Sequence, residues 1–392
     1  MNFIRRAIQP IVQKLAEKYP VVTITGPRQS GKTTLCRKAF AQKAYANLES
    51  PDVRQFAIDD PRGFLAQYPD GAVFDEIQRA PDLTSYLQPM IDEDEREGRF
   101  ILTGSQQFEV SNTINQTLAG RTALVKLLPF TIREIESAFV LPNIDTLIYK
   151  GFYPRLWDKQ LDPTQALGDY FETYIERDLR QLVSVKDLNL FQRFIRLCAG
   201  RIGQLLNISS IANDTGISHT TARNWISLLE ASYIIFLLQP YHHNISKRLV
   251  KSPKLYFYDV GLAAFLLGIE SEKHVSRDPL RGSLFENLVI AEVLKFRFNQ
   301  GKRSNLYFYR DSKGNEIDLL LATGADLFPM EIKAGMTINR DFFKGLNYFA
   351  GVFGGRIPRG GGLVYGGSEA QNRTGVSIVP LKDLNSLLSS LL

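Results

Sequence analysis

Gly26-Pro27-Arg28-Gln29-Ser30-Gly31-Lys32-Thr33 decides how this chain is read. It satisfies the pattern G-x-x-x-x-G-K-[ST] at every fixed position. The preceding Val21-Val22-Thr23-Ile24-Thr25 is β-branched and mostly apolar, as suits a buried parallel strand. The following Thr34-Leu35-Cys36-Arg37-Lys38-Ala39-Phe40 reads as the opening of a helix. Strand, glycine loop and helix start together make a phosphate cradle. Backbone N–H groups turn inward on the anion, and the helix N-terminus adds a favourable dipole. Lys32 is expected to reach the β- and γ-phosphates and Thr33 to coordinate Mg²⁺, with Gly26 through Thr34 lining the nucleotide. The stretch predicts a nucleoside triphosphate site.

Downstream, Gly71-Ala72-Val73-Phe74-Asp75-Glu76 is a short hydrophobic strand ending in two acids. Asp75 is expected to support Mg²⁺ and Glu76 to polarise the attacking water. Alone such a run is common; after a complete phosphate loop it is informative. Arg99-Phe100-Ile101-Leu102-Thr103-Gly104-Ser105 is a further strand. Ligands sit beyond the carboxyl ends of parallel strands, so Thr103 or Ser105 is expected to sense the γ-phosphate. Arg121, after Gly120, is a candidate arginine finger, acting in its own subunit or a neighbour's.

Composition sets outer bounds. A chain of 392 residues is too long for one core and predicts two or three domains. The apolar fraction of 44% and charged fraction of 22% are those of an ordinary globular protein. A net charge of +6 permits nucleic-acid binding without requiring it. Two cysteines, Cys36 and Cys198, supply neither a metal cluster nor a disulfide framework, which suits a reducing cytoplasm. Phe3, Ile4, Ala7, Ile8, Ile11, Val12 and Leu15 have helical spacing, unlike a signal peptide. No apolar run reaches the ~20 residues of a membrane span, so no membrane partner is expected.

The segments GPRQSGKT, AVFDEIQ, FILTGSQQF and LAGR followed by LLPFTIREIE resemble the prokaryotic AAA+-type P-loop ATPases that carry a C-terminal restriction-endonuclease-like domain. The stretch YFETYIERDL at 170–179, KLYFYDVGLAAFLLG and GSLFENLVIAEVL resemble later parts of the same family. The resemblance implies ATP as the nucleotide, and no guanine-selecting N-K-x-D follows the loop. The family's Gly-Gly-Phe-Pro-like connector appears here as Gly151-Phe152-Tyr153-Pro154, preceded by Lys150.

From about 132 to 206 the apolar spacing is helical, with Tyr170, Tyr174 and Ile175 in an amphipathic segment, and this predicts a helical lid and connector. Ser209 to Ser218 reads as a helix, a turn at Gly216 and a second helix start. Trp225, Leu228 and Leu229 face inward on that second helix. With 234–238 and 255–258 as a wing, joined through basic Lys247, Arg248, Lys251 and Lys254, this predicts a winged helix. Its exposed residues are His219, Thr220, Thr221, Arg223 and Asn224. Such a module contacts DNA or a protein.

In the last third, the helix at 284–294 carries Glu286. Strands at 306–309, 316–321 and 327–332 follow, with a hairpin turn at 311–315, then a helix at 341–350 and a strand at 362–365. That order is the core of the PD-(D/E)XK nuclease fold. Asp318 lies thirteen residues before Glu331, which opens Glu331-Ile332-Lys333. Strand alternation puts Glu331 and Lys333 on one face. Glu286, Asp318 and Glu331 are candidate Mg²⁺ ligands, joined by the Ile332 carbonyl, and Lys333 is a candidate activator of water.

The expected fold is therefore α/β and multidomain: an AAA+-type P-loop domain at 1–135, a helical lid and connector at 136–206, a winged helix at 207–262 and a nuclease-like α/β domain at 280–392. The expected function is Mg²⁺-dependent ATP hydrolysis coupled to DNA binding or processing. The alternative is a nucleotide-driven switch that recognises a protein partner. A homo-oligomer is expected if Arg121 acts across subunits.

Overall fold

The computed structural model describes residues 4–105, 117–176, 187–241 and 251–391, with only the backbone of 174–176. The first sheet is all parallel. Its strands are β1 (Val21–Thr25), β2 (Ala44–Asn47), β3 (Ala72–Asp75), β4 (Phe100–Gly104) and β5 (Thr122–Lys126), in spatial order β2-β3-β4-β1-β5. Every residue of β1, β3 and β4 is buried, because helices cover both faces. The near-continuous apolar runs read from the sequence are thus the central strands.

Short helices at Ile132–Glu136, Ile144–Lys150, Pro154–Asp158, Pro163–Tyr170 and Leu188–Ala199 follow, in the stretch expected to be helical. Gly151-Phe152-Tyr153-Pro154 is a rigid joint. The Phe152 N–H donates to the buried Asp259 carboxylate at 2.7 Å, the Phe130 N–H donates to the Phe152 carbonyl at 2.9 Å, and the Trp157 indole donates to the Gly151 carbonyl at 2.9 Å. The side chains of Tyr174 and Ile175, and the expectations placed on 106–108, 177–179, Lys247 and Arg248, lie outside the described residues.

A helix at Ile208–Thr215 ends on Gly216 in the left-handed region, and Ser218 caps a second helix, His219–Ala231. Trp225, Leu228 and Leu229 are buried on that helix, as its spacing predicts. The two strands that follow depart from expectation. β6 (Ile235–Pro240) and β7 (Lys254–Phe257) pair antiparallel, but β6 also pairs parallel with β8 (Leu306–Arg310). They are the end strands of a second sheet rather than a free-standing wing.

That sheet has eight strands, completed by β9 (Glu316–Thr323), β10 (Asp326–Lys333), β11 (Gly361–Tyr365), β12 (Gln371–Arg373) and β13 (Val376–Pro380). Its order is β12-β13-β11-β10-β9-β8-β6-β7. The helix Arg281–Phe298 and the helix Lys344–Phe353 flank it, so the order helix, three strands, helix, strand is present as read. Apolar residues of 128–157 and 281–298 belong to one buried cluster, which joins the helical stretch to the elements of the second sheet. Among the described residues no helix is long and apolar enough to cross a membrane.

Candidate functional site

The phosphate loop leaves the carboxyl end of β1 and runs into the helix Lys32–Ala39. Gln29 and Gly31 both take left-handed backbone, φ +59° and +92°, which folds the loop on itself. At Gly26 any side chain is excluded: a Cβ there would stand 2.0 Å from the Leu127 carbonyl oxygen. Lys32 is buried and its ammonium donates to the Gly26 and Pro27 carbonyls at 3.0 and 2.9 Å. Burial pushes its pKa down, against the opposing pull of Glu76 and Asp75. The Ser30 hydroxyl is buried in the loop with no protein partner, an unmatched polar atom inside the phosphate cradle.

Because the sheet is parallel, Asp75 at the end of β3 and Thr103 near the end of β4 stand on the same edge as the loop. The Thr33 hydroxyl donates to Asp75 Oδ2 at 2.7 Å. Thr103 donates to the other Asp75 oxygen, and Tyr45 of β2 donates to Oδ2. Glu76 adopts left-handed backbone, φ +59°, and its carboxylate accepts from Ser105 at 3.0 Å and from the Gln78 amide. Of the two candidate sensors, Thr103 therefore supports Asp75 and Ser105 supports Glu76. Thr33 and Asp75 offer hard oxygen donors side by side, a set that fits Mg²⁺.

Arg121 is elsewhere. It precedes β5, and its carbonyl accepts from the Val21 N–H at the start of β1. Roughly 13 Å of strand separates that edge from the loop, at about 3.3 Å per residue. Its guanidinium holds the Asp92 carboxylate at 2.9 Å. Strand direction thus puts Arg121 on the edge opposite its own chain's loop, which bears on the choice between its own subunit and a neighbour's.

Two anchors had no motif to announce them. Arg6 is buried and donates to the Ser30 carbonyl at 2.6 Å, to the Leu128 carbonyl at 2.6 Å and to Glu134 at 3.0 Å. Glu134 in turn accepts from the Ala7 and Thr131 N–H groups at 2.6 and 2.8 Å. Tyr233 donates to Thr25, the last residue of β1, at 2.7 Å. From the second sheet's side, Lys295 donates to the Phe130 carbonyl at 2.8 Å, and Glu292 accepts from the Ile132 N–H at 2.8 Å.

A second polar cluster forms on the second sheet. Lys333 pairs with Asp318 at 2.7 Å and with Glu331 at 2.5 Å, and the Ile332 N–H donates to Asp318 at 2.8 Å. Glu286, on the flanking helix, accepts from Lys254 at 3.1 Å and from the Tyr256 hydroxyl. Lys254 also pairs with Glu316 at 2.5 Å. The sequence places Lys254 in the basic stretch that joins the two wing strands. It is buried, because β7 lies in the sheet and turns it onto Glu286 and Glu316.

The electrostatics separate these carboxylates. Burial and the neighbouring Asp318 push Glu331 up to about 8, against the pull of Lys333. Burial alone would raise Asp318, but Lys333 and Lys254 outweigh it and hold it below the usual range. Burial raises Glu286 against the pull of Lys254. Among the described residues no three carboxylate, imidazole or thiol side chains converge as a metal's ligand set would. Each of the expected ligands Glu286, Asp318 and Glu331 faces an ammonium group, which offsets charge repulsion among buried acids.

Gly345 makes room for Glu331: a Cβ there would stand 2.0 Å from Glu331 Oε1 and 2.5 Å from the Glu316 carbonyl oxygen. Gly345→Ala is expected to displace the Glu331 carboxylate and cost about 1–3 kcal/mol, the range for overpacking. Denaturant unfolding checks it, and an unchanged midpoint would mean that the helix Lys344–Phe353 shifts freely.

Comparison with known proteins divides the chain in three. Residues 18–136 match the family described as AAA domain, 141–273 match a domain of unknown function (DUF8612), and 281–384 match another domain of unknown function (DUF4143). The first part is a P-loop ATPase domain of the AAA type. "Uncharacterized protein Rv2008c" of Mycobacterium tuberculosis is 30% identical over 337 residues, covering 85% of this chain and 74% of that protein. "Uncharacterized protein Mb2031c" of Mycobacterium bovis matches to the same extent. "Uncharacterized protein MJ1637" of Methanocaldococcus jannaschii is 21% identical, covering 93% and 84%. Among solved structures, the Walker-type ATPase PABY2304 of Pyrococcus abyssi is similar at a TM-score of 0.45 and 14% identity, covering 68% of this chain and 96% of that one. The chain belongs to the family of Rv2008c and Mb2031c, and its own residues 18–136 are an AAA domain.

Proposed function

We propose that this protein binds and hydrolyses ATP with Mg²⁺ and couples hydrolysis to binding or processing of DNA. The observation that carries the ATPase reading is Thr33 of the loop bonded to Asp75, with Glu76 beside them on the same strand edge. Backbone N–H groups of 26–34 cradle the phosphates, and Lys32 turns from its loop carbonyls toward them. Thr33 and Asp75 would hold Mg²⁺, which when bound neutralises phosphate charge. Glu76, kept in place by Ser105 and Gln78, takes the proton of the attacking water.

The DNA part of the reading rests on the residue set of the second cluster. Glu286, Asp318, Glu331 and Lys333 are the acids and the lysine that a PD-(D/E)XK nuclease requires, in its element order. The exposed face of His219–Ala231, with His219, Thr220, Arg223 and Asn224, serves as a winged-helix contact to DNA in this reading. A finger role for Arg121 falls to a neighbouring copy, so an oligomer goes with it. Glu331→Ala and Lys333→Ala are each expected to abolish Mg²⁺-dependent DNA cleavage while ATP hydrolysis persists. The test is ATP hydrolysis with and without single-stranded, duplex and branched DNA, with strand products run on a gel.

A second reading has an observation of its own. Lysines pair every carboxylate of the cluster, an arrangement that equally suits a non-catalytic domain. The protein is then a nucleotide-driven switch for a protein partner. Hydrolysis indifferent to every DNA, with strands intact under all metals, selects it. Affinity for DNA that falls steeply with salt counts against it, since that slope reports phosphate contacts.

A further inference from the structure

The phosphate loop accounts for one end of a nucleotide and leaves the other without a seat. Beside the loop lies a cavity of about 380 Å³, within the range of about 300–1,000 Å³ typical of ligand sites. Gln29 of the loop forms part of its wall, and the rest comes from 153–173. Pro154 continues the contact: its Cγ is 3.9 Å from where a Cβ on Gly31 would stand. The cavity therefore adjoins the cradle directly.

Its lining is of two kinds. Tyr153, Leu156, Leu167 and Tyr170 are buried and give an apolar floor, with the two tyrosine rings 4.7 Å apart. The rim is rich in acceptors. Gln165 donates its amide to Asp169 Oδ1 at 2.8 Å, which leaves the Gln165 carbonyl oxygen and the second Asp169 oxygen as acceptors. Asp162 adds a carboxylate, already capping the helix Pro163–Tyr170 through the Gln165 N–H at 2.9 Å. Among the described residues, Arg155 is the single cation of the lining.

Among the described lining residues, two carboxylates against one guanidinium make poor company for a phosphate. They suit a neutral group with a flat apolar face and hydrogen-bond donors on its edge, which is what a nucleoside presents in its base, its ribose hydroxyls and an exocyclic amine. We propose that this cavity is the nucleoside-binding half of the site, with Gln165 and Asp169 as specificity-determining residues. The inference rests on the nucleotide reading of the phosphate loop.

The test is calorimetric titration of the full chain with a non-hydrolysable ATP analogue and, separately, with inorganic tripolyphosphate. Gln165→Ala and Asp169→Ala are exposed changes on one helix, and Leu161→Trp narrows the cavity. Each is expected to weaken the analogue about tenfold or more, close to 1.4 kcal/mol, and leave tripolyphosphate unchanged. Wild type is expected to prefer an ATP analogue over its UTP counterpart, which lacks the exocyclic amine. The corresponding 2′-deoxy analogue reads the ribose contribution, since only the hydroxyl differs. Unchanged analogue affinity in all three variants overturns the inference while the loop reading stands. Equal weakening of both ligands also overturns it, since the variants then act through the loop. A wild type that binds neither ligand sinks the nucleotide reading itself.

Discussion

Glu76→Gln is expected to lower the rate of ATP hydrolysis by roughly a hundred- to ten-thousand-fold, with nucleotide affinity almost unchanged. The substitution keeps the size and one acceptor oxygen of the side chain, and since Ser105 and Gln78 both donate to a single Glu76 oxygen they still have a partner. What it removes is the ability to take a proton from water. Lys32→Ala gives the contrasting pattern. It removes the buried cation that the loop aims at the phosphates, so binding and hydrolysis fall together. Single-turnover hydrolysis beside equilibrium binding separates the two. Glu76→Gln protein that hydrolyses at the wild-type rate would place the base elsewhere.

Arg6→Ala carries the largest expected cost in stability, about 3–5 kcal/mol, because it strands the buried Glu134 carboxylate. The loss has a second component. The Arg6 guanidinium also holds the carbonyls of Ser30 and Leu128, and it stacks 5.0 Å from the Phe130 ring centroid. Removing it frees the phosphate loop from the segment behind it, so nucleotide affinity falls as well. Arg6→Lys is expected to recover only part of either effect, since one ammonium lacks the planar fork that serves three acceptors. Arg6→Met combined with Glu134→Leu removes both charges and is expected to restore much of the stability but not the nucleotide affinity. Denaturant unfolding and nucleotide titration of the same set check this. Equal loss in the double variant would mean that the carbonyl bonds outweigh the buried charge.

The phosphate loop, Asp75 and Glu76 are legible in sequence because their chemistry is local: fixed spacing on one turn, or acids at the end of an apolar strand. Asp318, Glu331 and Lys333 are legible for a related reason, since strand alternation decides which side chains share a face. Arg121 shows where such reasoning stops short. Its position next to glycine says nothing of direction, whereas its place just before a parallel strand puts it at the edge opposite its own chain's loop. Arg6 and Glu134 lie 128 positions apart, and no local pattern joins them. Lys254 reads only as part of a basic stretch; its burial comes from β7 pairing with β6, which in turn joins β8 some fifty residues further on. Tyr45 and Tyr233 carry no local signal, and only the fold brings their hydroxyls to Asp75 and Thr25.

The union of β6 with β8 has a practical bearing on how the chain is divided. A cut made between 262 and 281, where sequence composition suggests a seam, would separate partners in one ladder. The amino-terminal piece would carry β6 with its β8-facing hydrogen-bonding edge bare, and the carboxyl-terminal piece would begin its sheet at an uncovered β8. Unpaired apolar edges invite pairing with other chains, so both halves are expected to clump when expressed alone. A cut ahead of the helix Leu188–Ala199 would keep the second sheet whole, but it would split the buried cluster that joins 128–157 to 281–298, so the chain is best produced undivided.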